Sequence, residues 1–469
     1  MSSTGASRSN HASGAGTTDR TASPGQLLVV TYHFPPIQSA GVYRLLGLVK
    51  YLRACGWRIT VLTVRRSTRE GRDDLSLALI PEGIDVIRTD SAEPAARLLR
   101  AAEARNARST ASAASTPSPS SARPARKNPF RRALGAPYRA LVRALSYPDH
   151  QVGWTPRVAK EVAAFVRRHP GAVVLSSTPP HSTQIAVGIA RSLVRFAWVT
   201  DFRDPWTAPS RIPKGRVNLA FQRAVERWVL FGCDRVIANT AGNRDELLAS
   251  FPGLDASRVR VIPNAFDTET LPDAAPADDP AIACDIAYFG EVYPGMLDAY
   301  LDALRLLVAR DAASAPRLHV FGKVGPDDVR RVQRDGLASQ VVFMGVVSYT
   351  RSLALMRAAQ SLLLLLPDGD AMATCVPSKL YPYLFTGRPV LALVPPGDAA
   401  RVVEETGAGE VIAPGEPALM AARLASFVER VRRGQIAGRS GPDERTAPYA
   451  MERVARRVHE VLLEVAARG

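Results

Sequence analysis

The chain has 469 residues, of which 46% are hydrophobic and 22% are charged. This length favours two domains over one compact core, and this composition excludes a chain that is disordered throughout. Sixty lysines and arginines against 44 aspartates and glutamates give a formal charge of +16. The excess predicts an anionic partner, which is a nucleic acid, a membrane surface or a phosphorylated substrate.

Two stretches have compositions typical of disorder. They are the tail at 1–25 and an insert at about 107–127, both rich in small and polar residues. The tail has no apolar block, which excludes a secretory signal, and no run approaches the roughly 20 apolar residues of a spanning helix. We therefore expect a cytoplasmic protein. The four cysteines form no C-x-x-C pair, so neither a zinc site nor a disulfide framework is indicated.

A basic amphipathic helix is predicted directly after the insert, at about 129–146. Its apolar side chains recur at helical spacing, and arginines lie beside them. Residues 91–150 hold eleven basic and three acidic residues, so this segment carries half of the total charge excess. Such a helix suits an anionic membrane surface, and a peripheral position on the inner face of the cell membrane follows. Aromatic residues are not interleaved with the basic ones as in a nucleic-acid-binding module, so we expect no nucleic acid partner.

Elsewhere, short apolar runs alternate with helical patterns, which is typical of parallel α/β folds. Seven strands are predicted before a Pro/Ala/Asp-rich link at 271–280, at 27–32, 58–64, 84–88, 172–177, 197–202, 234–240 and 258–264. Six more follow the link, at 284–290, 317–322, 340–345, 361–367, 389–394 and 409–414. We predict an α/β fold of two facing doubly wound, Rossmann-like domains, closed by an amphipathic C-terminal helix. Ligands bind at the carboxyl ends of the strands in such folds, so the cleft between the domains is the expected active site.

Two strand ends in the first half carry candidate functional residues. His33 ends the first strand, and Gly41 opens the helix that follows, where a backbone N-terminus favours an anion. Arg203 and Asp204 follow the fifth strand, in a cluster that begins with Asp201. A guanidinium suits a carboxylate or phosphate, and a carboxylate suits sugar hydroxyls. A plain turn at Gly41 and an internal Arg–Asp pair in the cluster remain the structural alternatives.

Three further stretches place polar residues where a strand meets a helix. His181 lies in STPPHS and reads as a helix-start residue, and Gly290 follows the first strand of the second half. Residues 376–390 place Ser378 and Lys379 at a helix start, with Gly387 as the residue that ends the helix. Hydroxyl, backbone N–H and ammonium together engage a phosphate well. A purely structural helix remains the alternative here.

These motifs, in this order, resemble a known family. LVVTYHFPP, VTDFRDPW and VIPNAFD resemble the N-terminal domain of the family-4 type, retaining GT-B glycosyltransferases, and YFGEVYPG and VPSKLYPYLFTGRPVLAL resemble their C-terminal domain. The resemblance covers nearly all of 26–465. It implies an acceptor-side domain at 26–268, a nucleotide-sugar domain at 281–445 and a helix at 446–469 that packs back on the first domain. It also implies retaining sugar transfer from a nucleotide diphosphate, with neither a metal nor another cofactor.

The resemblance also implies roles for individual residues. A site without a metal must neutralise the departing diphosphate with cationic side chains, amides and helix dipoles, so Lys379 is assigned that role. Our full assignment comprises the catalytic residues Lys379, Arg203 and Asp204, the donor-binding residues Gly41, Gly290, Glu291, Asn264, Pro377, Ser378, Lys379 and Tyr383, and the acceptor-side residues His33, Arg44, Asp201 and His181.

The chain departs from the family pattern at two places. Members usually carry two glutamates eight residues apart, the second of which holds the ribose, but this chain has Thr374 and Pro382 there. An Arg and a Lys commonly follow the glycine of the donor loop, where this chain has Glu291 and Val292.

The leading hypothesis is a glycosyltransferase that acts on a lipid-linked or glycan acceptor in surface polysaccharide assembly. The missing residues keep a second hypothesis open, a catalytically silent GT-B protein that binds a nucleotide sugar or a partner enzyme. A nucleotide-sugar epimerase on the same fold is a minor alternative.

Overall fold

The computed structural model describes residues 24–39, 41–67, 71–92, 148–204, 206–207, 216–369, 372–436 and 443–468. The predicted tail, apart from residues 24 and 25, lies outside the described residues, as do the predicted insert at about 107–127 and the basic helix at about 129–146.

The first half of the chain builds one parallel sheet of seven strands. Their spatial order is β3-β2-β1-β4-β5-β6-β7, and every neighbouring pair runs parallel. The strands are β1 (Gln26–Val30), β2 (Arg58–Val64), β3 (Asp85–Thr89), β4 (Val173–Thr178), β5 (Ala197–Phe202), β6 (Arg235–Ala238) and β7 (Val259–Val261). Each strand begins within two residues of the start of its predicted apolar run. The prediction succeeds because strands that are covered on both faces consist of continuous hydrophobic residues.

The second half builds a parallel sheet of six strands in the order β10-β9-β8-β11-β12-β13. They are β8 (Ile286–Phe289), β9 (Leu318–Phe321), β10 (Val341–Gly345), β11 (Leu362–Leu365), β12 (Val390–Leu393) and β13 (Gly409–Ile412). The predicted α/β class with two Rossmann-like domains is confirmed.

Helices cover both faces of each sheet. In the first half they are α1 (Gly41–Ala54), α2 (Thr155–Arg168), α3 (Ser182–Leu193), α4 (Arg216–Gly232) and α5 (Ala241–Ser250). In the second half they are α6 (Asp298–Arg310), α7 (Pro326–Arg334), α8 (Tyr349–Ala358), α9 (Leu380–Thr386), α10 (Asp398–Thr406), α11 (Pro417–Arg432) and α12 (Met451–Ala466). Among the described residues, no helix combines the length and the apolar content that a membrane crossing needs.

The last helix packs on the first sheet. Val454, Val458 and Leu462 of α12 join the core that contains Leu27 of β1 and Leu45 of α1. The opposite face of this sheet is covered by α2, α3 and α4, whose apolar side chains form a separate core. The chain therefore passes from the first domain to the second and back again.

The two crossing segments lie side by side. The Phe266 amide donates to the Tyr449 carbonyl at 3.1 Å, and the Met451 amide donates to the Phe266 carbonyl at 3.0 Å. The Phe266 ring also stacks on Phe385 of α9, with 5.9 Å between ring centroids. The domains are thus joined by two paired segments rather than by one loose linker.

Candidate functional site

A close backbone approach shapes the loop after β8. Gly290 has φ +129°, a conformation that side chains rarely adopt. A Cβ at Gly322, after the neighbouring β9, would collide with the Gly290 carbonyl. A Cβ at Gly290 itself would lie 2.7 Å from Nζ of Lys379. The glycine of the predicted donor loop and the lysine of the predicted phosphate motif, 89 positions apart in the chain, therefore meet at one point.

An aromatic residue that the sequence analysis missed holds Lys379 in place. Nζ of Lys379 lies 3.9 Å from the centre of the Tyr288 ring and donates a hydrogen bond to the Tyr288 hydroxyl at 2.5 Å. That hydroxyl donates in turn to the Glu291 carbonyl at 3.0 Å. Burial lowers the pKa of Lys379 to about 7. Within the described part of the chain no carboxylate pairs with this ammonium, so a bound anion would stabilise its charged form.

The helix behind Lys379 corrects one prediction. Tyr383 of α9 is buried in the core, where its hydroxyl accepts from the Phe289 amide at 3.1 Å and lies 3.4 Å from the Leu363 carbonyl. It therefore fixes α9 against β8 and does not face a donor. Tyr383 lies one turn after Lys379 on the same face of α9, but its position within the helix packs it against Phe289 inside the core, whereas Lys379 precedes the helix at the edge of the sheet.

The other residues of this segment lie where the sequence places them. The carbonyl of Pro377 accepts from the Leu380 amide at 3.0 Å, and Ser378 is exposed beside Lys379. Glu291 is also exposed. Pro382 lies in the first turn of α9, which Gly387 ends at φ +73°. An early proline is tolerated because the first helical N–H groups have no partner within the helix.

A second cation lies across the cleft on the first domain. Arg203 is 8% exposed, and its Nε donates to the Thr178 carbonyl. Its Nη1 lies 2.6 Å from the position that a Cβ of Gly41 would take, so the guanidinium lies under the N-terminus of α1. Burial lowers the pKa of Arg203. Among the described residues, Nη1 and Nη2 make no hydrogen bond, so two donors and a helix N-terminus converge on one place.

Two predicted acceptor-side residues form an internal ion pair instead. Arg44 donates to both carboxylate oxygens of Asp201, at 3.1 and 2.9 Å, and to the Pro263 carbonyl at 2.7 Å. Ser177 donates to the same carboxylate at 2.9 Å. Burial alone would raise the pKa of Asp201, but the charge of Arg44 outweighs this effect and lowers the pKa overall. Arg44 and Asp201 are 2% and 1% exposed, so neither reaches an acceptor, and the prediction for both was wrong. The structural alternative, an internal Arg–Asp ion pair, is present, but Asp201 pairs with Arg44 and not with Arg203 of its own cluster.

The two predicted histidines lie at the same edge of the first sheet. Nδ1 of His33 is 3.1 Å from the Pro179 carbonyl. His181 precedes α3, as the sequence indicated, and its ring stacks on Trp206 with centroids 4.9 Å apart. Asp204 is half-buried near Arg203. These residues follow the carboxyl ends of β1, β4 and β5.

Contacts between described residues of the two domains include an aromatic stack and a hydrogen bond. The rings of Tyr43 in α1 and Tyr349 in α8 stack 3.7 Å apart. The Gly242 amide in α5 donates to Asp398 at 3.1 Å. Asn264 lies at the junction, where its Oδ1 accepts from the Ala265 amide at 3.0 Å.

Thr374, at one of the missing-glutamate positions, also takes part in this contact region. Its carbonyl accepts from Thr240 of the first domain at 3.3 Å. Sequence reasoning gave no sign of these contacts, because each joins residues from different domains.

Comparison with known proteins agrees with this geometry. Residues 40–265 match the family described as glycosyl transferase 4-like domain. This match covers slightly under half of the chain and indicates a glycosyltransferase-type domain there. Over 62 residues this chain is 37% identical to alpha-maltose-1-phosphate synthase of Mycolicibacterium smegmatis, a match that covers 13% of this chain and 16% of that protein. The match thus spans about a sixth of the length of the curated relative.

Two solved structures share the fold over nearly their whole length. HepE from Anabaena superposes with a TM-score of 0.59 at 16% identity, covering 93% of this chain and 99% of that chain. A glycosyltransferase from Rickettsia africae superposes with a TM-score of 0.56 at 13% identity, covering 95% and 99%. At these identities the likeness establishes the GT-B fold.

Proposed function

We propose that this protein transfers a sugar from a nucleotide diphosphate donor to a lipid-linked or glycan acceptor, in the assembly of a surface polysaccharide or glycoconjugate. The observation that carries the proposal is the meeting of Lys379 with Gly290 at the carboxyl end of β8. In doubly wound folds this edge of the sheet binds the ligand. An ammonium that pairs with no described carboxylate, beside a glycine loop there, provides a place for a diphosphate.

Lys379 acts in this proposal as the electrophilic group that stabilises the leaving diphosphate. Its pKa of about 7 leaves part of the population neutral in the free protein. A diphosphate raises that pKa, because an opposite charge nearby favours the protonated form. The negative charge that develops as the sugar–phosphate bond breaks then strengthens the contact in the transition state. We propose a transfer that needs no metal and retains the anomeric configuration.

The first domain supplies the other half of the proposed site. Arg203 and the N-terminus of α1 at Gly41 form a second positive region, which we assign to the donor phosphates. Asp204, His33 and His181 are assigned to the acceptor side. HepE was solved in complex with UDP and glucose, and its shared fold supports a nucleotide-sugar donor here.

The acceptor and the location are further parts of the proposal. A lipid-linked acceptor places the protein on the cytoplasmic, inner face of the cell membrane, where anionic lipids attract a chain of net charge +16. Nucleic acid is not a proposed partner.

The test is a panel of radiolabelled nucleotide sugars, incubated with the protein and a membrane extract, with and without a chelator. Transfer of label in both conditions is expected, and NMR of the product gives the anomeric configuration. Absence of both transfer and donor hydrolysis over the whole panel would contradict the enzymatic proposal.

A catalytically silent, nucleotide-sugar-binding protein is the second candidate. It is favoured by Glu291, whose exposed carboxylate stands where the family carries a cation, and by Pro382, which offers no ribose contact. Calorimetric binding of a nucleotide sugar without turnover would select it. Conversion of the donor to an epimer, without transfer, would select the epimerase.

A further inference from the structure

A carboxylate of the second domain caps a helix of the first domain. Oδ2 of Asp398 accepts a hydrogen bond from the Gly242 amide at 3.1 Å, in the first turn of α5. Asp398 also begins α10, so its carboxylate lies at the N-termini of two helices, one from each domain. The free N–H groups and the dipole of a helix N-terminus favour a negative charge. Because Asp398 is 4% exposed, this contact, which we call the interdomain cap, is largely shielded from water.

The backbone at the interdomain cap is packed too closely for additional side chains. A Cβ on Gly242 would come within 2.5 Å of Oδ2 of Asp398 and within 2.8 Å of the Thr374 side chain. A Cβ on Gly397 would lie 2.1 Å from the Ala373 carbonyl oxygen. The Asp398 amide donates to that same carbonyl at 2.7 Å. The cap therefore depends on a glycine in each domain, and it holds Ala373 and Thr374 together with Asp398.

In the second domain, the interdomain cap leads to Lys379. The Thr374 carbonyl accepts from the hydroxyl of Thr240, the residue that caps α5 within its own domain, at 3.3 Å. Thr374 precedes Lys379 by five residues. A turn closes this segment directly before α9, where the Leu380 amide donates to the Pro377 carbonyl at 3.0 Å. A shift of Thr374 relative to α5 is therefore passed on to Lys379.

In the first domain, the same turn of α5 holds the segment of Arg203. Nδ2 of Asn243 donates to the Arg203 carbonyl at 3.3 Å, and the Asn243 amide donates to the Thr240 hydroxyl at 3.0 Å. Asn243 is 1% exposed. The first turn of α5 thus contacts the segments that carry both cations of the proposed donor site, Arg203 and Lys379. Their separation has to match the diphosphate, because charge-assisted hydrogen bonds require a defined geometry.

We propose that Asp398 is a positioning residue, which caps α5 from the second domain and thereby sets the position of Lys379 relative to Arg203. The proposal deepens the proposed function and rests on it for the ligand that the two cations share. Loss of the cap leaves both cations in the protein but lets their separation vary. Such misplacement lowers the rate of the chemical step more than the affinity for the donor.

Variants of Asp398 test the role of the interdomain cap. Asp398→Ala removes the acceptor, whereas Asp398→Asn keeps an oxygen that accepts from Gly242. Arg401→Gln is the matched control, because it removes the ion-pair partner of Asp398 on α10 and leaves the cap intact. At a temperature where all variants are folded, the kcat of sugar transfer should fall about ten- to hundredfold in Asp398→Ala, with a smaller rise in donor KM. Asp398→Asn should restore most of the rate, and Arg401→Gln should keep all of it. An equal loss in Arg401→Gln would overturn the proposal.

A second variant separates the interdomain cap from the stability of α5. Alanine favours a helix more than glycine does, so a role of Gly242 in α5 alone predicts that Gly242→Ala is stabilising and fully active. The added methyl group instead meets Asp398 and Thr374 of the second domain. We expect kcat to fall as in Asp398→Ala. Full activity in Gly242→Ala would refute the proposed positioning.

Amide hydrogen exchange tests the same contact without a substrate. In the free protein, peptides that cover 240–250 and 372–386 should exchange faster in Asp398→Ala than in Arg401→Gln. Faster exchange at 240–250 alone would show that the interdomain cap does not reach Lys379, and it would overturn the proposal. If the unchanged protein transfers no sugar, the enzymatic proposal fails, and the exchange at 372–386 still decides the positioning role. The two failures are therefore distinguishable.

Discussion

Replacement of Lys379 by methionine should have opposite effects on stability and on ligand binding. Methionine has nearly the length of lysine and keeps contact with the Tyr288 ring, but it carries no charge. In the free protein the ammonium is largely desolvated and unpaired by any described carboxylate. We therefore expect Lys379→Met to stabilise the free protein and to weaken nucleoside diphosphate binding.

The magnitude follows from the pKa. A drop from 10.5 to about 7 corresponds to an upper limit of about 5 kcal/mol, at 1.36 kcal/mol for each pKa unit. Two effects reduce the net gain in stability to about 1–3 kcal/mol. Water reaches the ammonium in the unchanged protein, and the variant loses the cation–π contact between the ammonium and the Tyr288 ring. Loss of a charge-assisted hydrogen bond to the diphosphate costs a further 1.5–3 kcal/mol of binding, or roughly 10- to 150-fold in Kd.

The sign of the pH dependence is fixed by the direction of the pKa change. Below pH 7 the lysine is charged in both the folded and unfolded states, so the advantage of the variant is largest. Between about 7 and 10.5 the unfolded chain binds more protons than the folded protein, and the stability of the unchanged protein rises with pH. The advantage of Lys379→Met should therefore shrink over this range and vanish above it.

Urea unfolding at several pH values and calorimetry with nucleoside diphosphates measure the two effects. Lys160→Met, which removes an exposed lysine of α2, is the matched control and should change neither quantity. Unchanged nucleoside diphosphate affinity in Lys379→Met would refute the assigned site. Lower stability at pH 7 would show that the ammonium is a structural contact instead.

Three further predictions concern the groups around the cleft. Tyr288→Phe keeps the ring but removes the hydroxyl that accepts from Lys379, so the Kd for nucleoside diphosphates should rise about three- to tenfold with little loss of stability; a calorimetric titration equal to that of the unchanged protein would contradict this. Asp201→Asn removes the charge that Arg44 faces in the core and should lower the free energy of unfolding by about 3–5 kcal/mol, and a urea midpoint within error of the original would refute it. Gly41→Ala places a methyl group on the guanidinium of Arg203 and should reduce kcat/KM at least tenfold while the thermal midpoint changes little; normal turnover would show that Arg203 moves aside freely.

The sequence predicted the sheets well because both are parallel and buried. A strand such as β11 (Leu362–Leu365) is a continuous apolar run that no amphipathic helix would show. Gly290 and Lys379 were identified for a similar local reason, since each lies at a boundary between a strand and a helix. Their contact was not predictable from spacing, because it requires β8 and α9 to lie side by side.

The errors arose where two distant segments decide the surroundings of a side chain. Asp201 and Arg203 look alike in sequence as polar residues at one strand end. Asp201 lies within β5 and pairs with Arg44, whereas Arg203 follows the end of the strand and lies under the N-terminus of α1. Only the position of α1 decides that Arg44 reaches Asp201. Tyr383 was misassigned for a related reason, since its motif fixes the helix but not the side of the helix that faces the core.

The return of α12 to the first sheet has a consequence for synthesis. The strands of that sheet are complete by residue 261, yet one of its apolar faces, covered in part by α1, lacks the rest of its cover until residues 451–466 leave the ribosome. The second domain must therefore emerge while the first still exposes part of its core, and chaperones would meet that surface. A fragment that ends before α12 should aggregate, and a separate α12 peptide added during refolding should restore solubility.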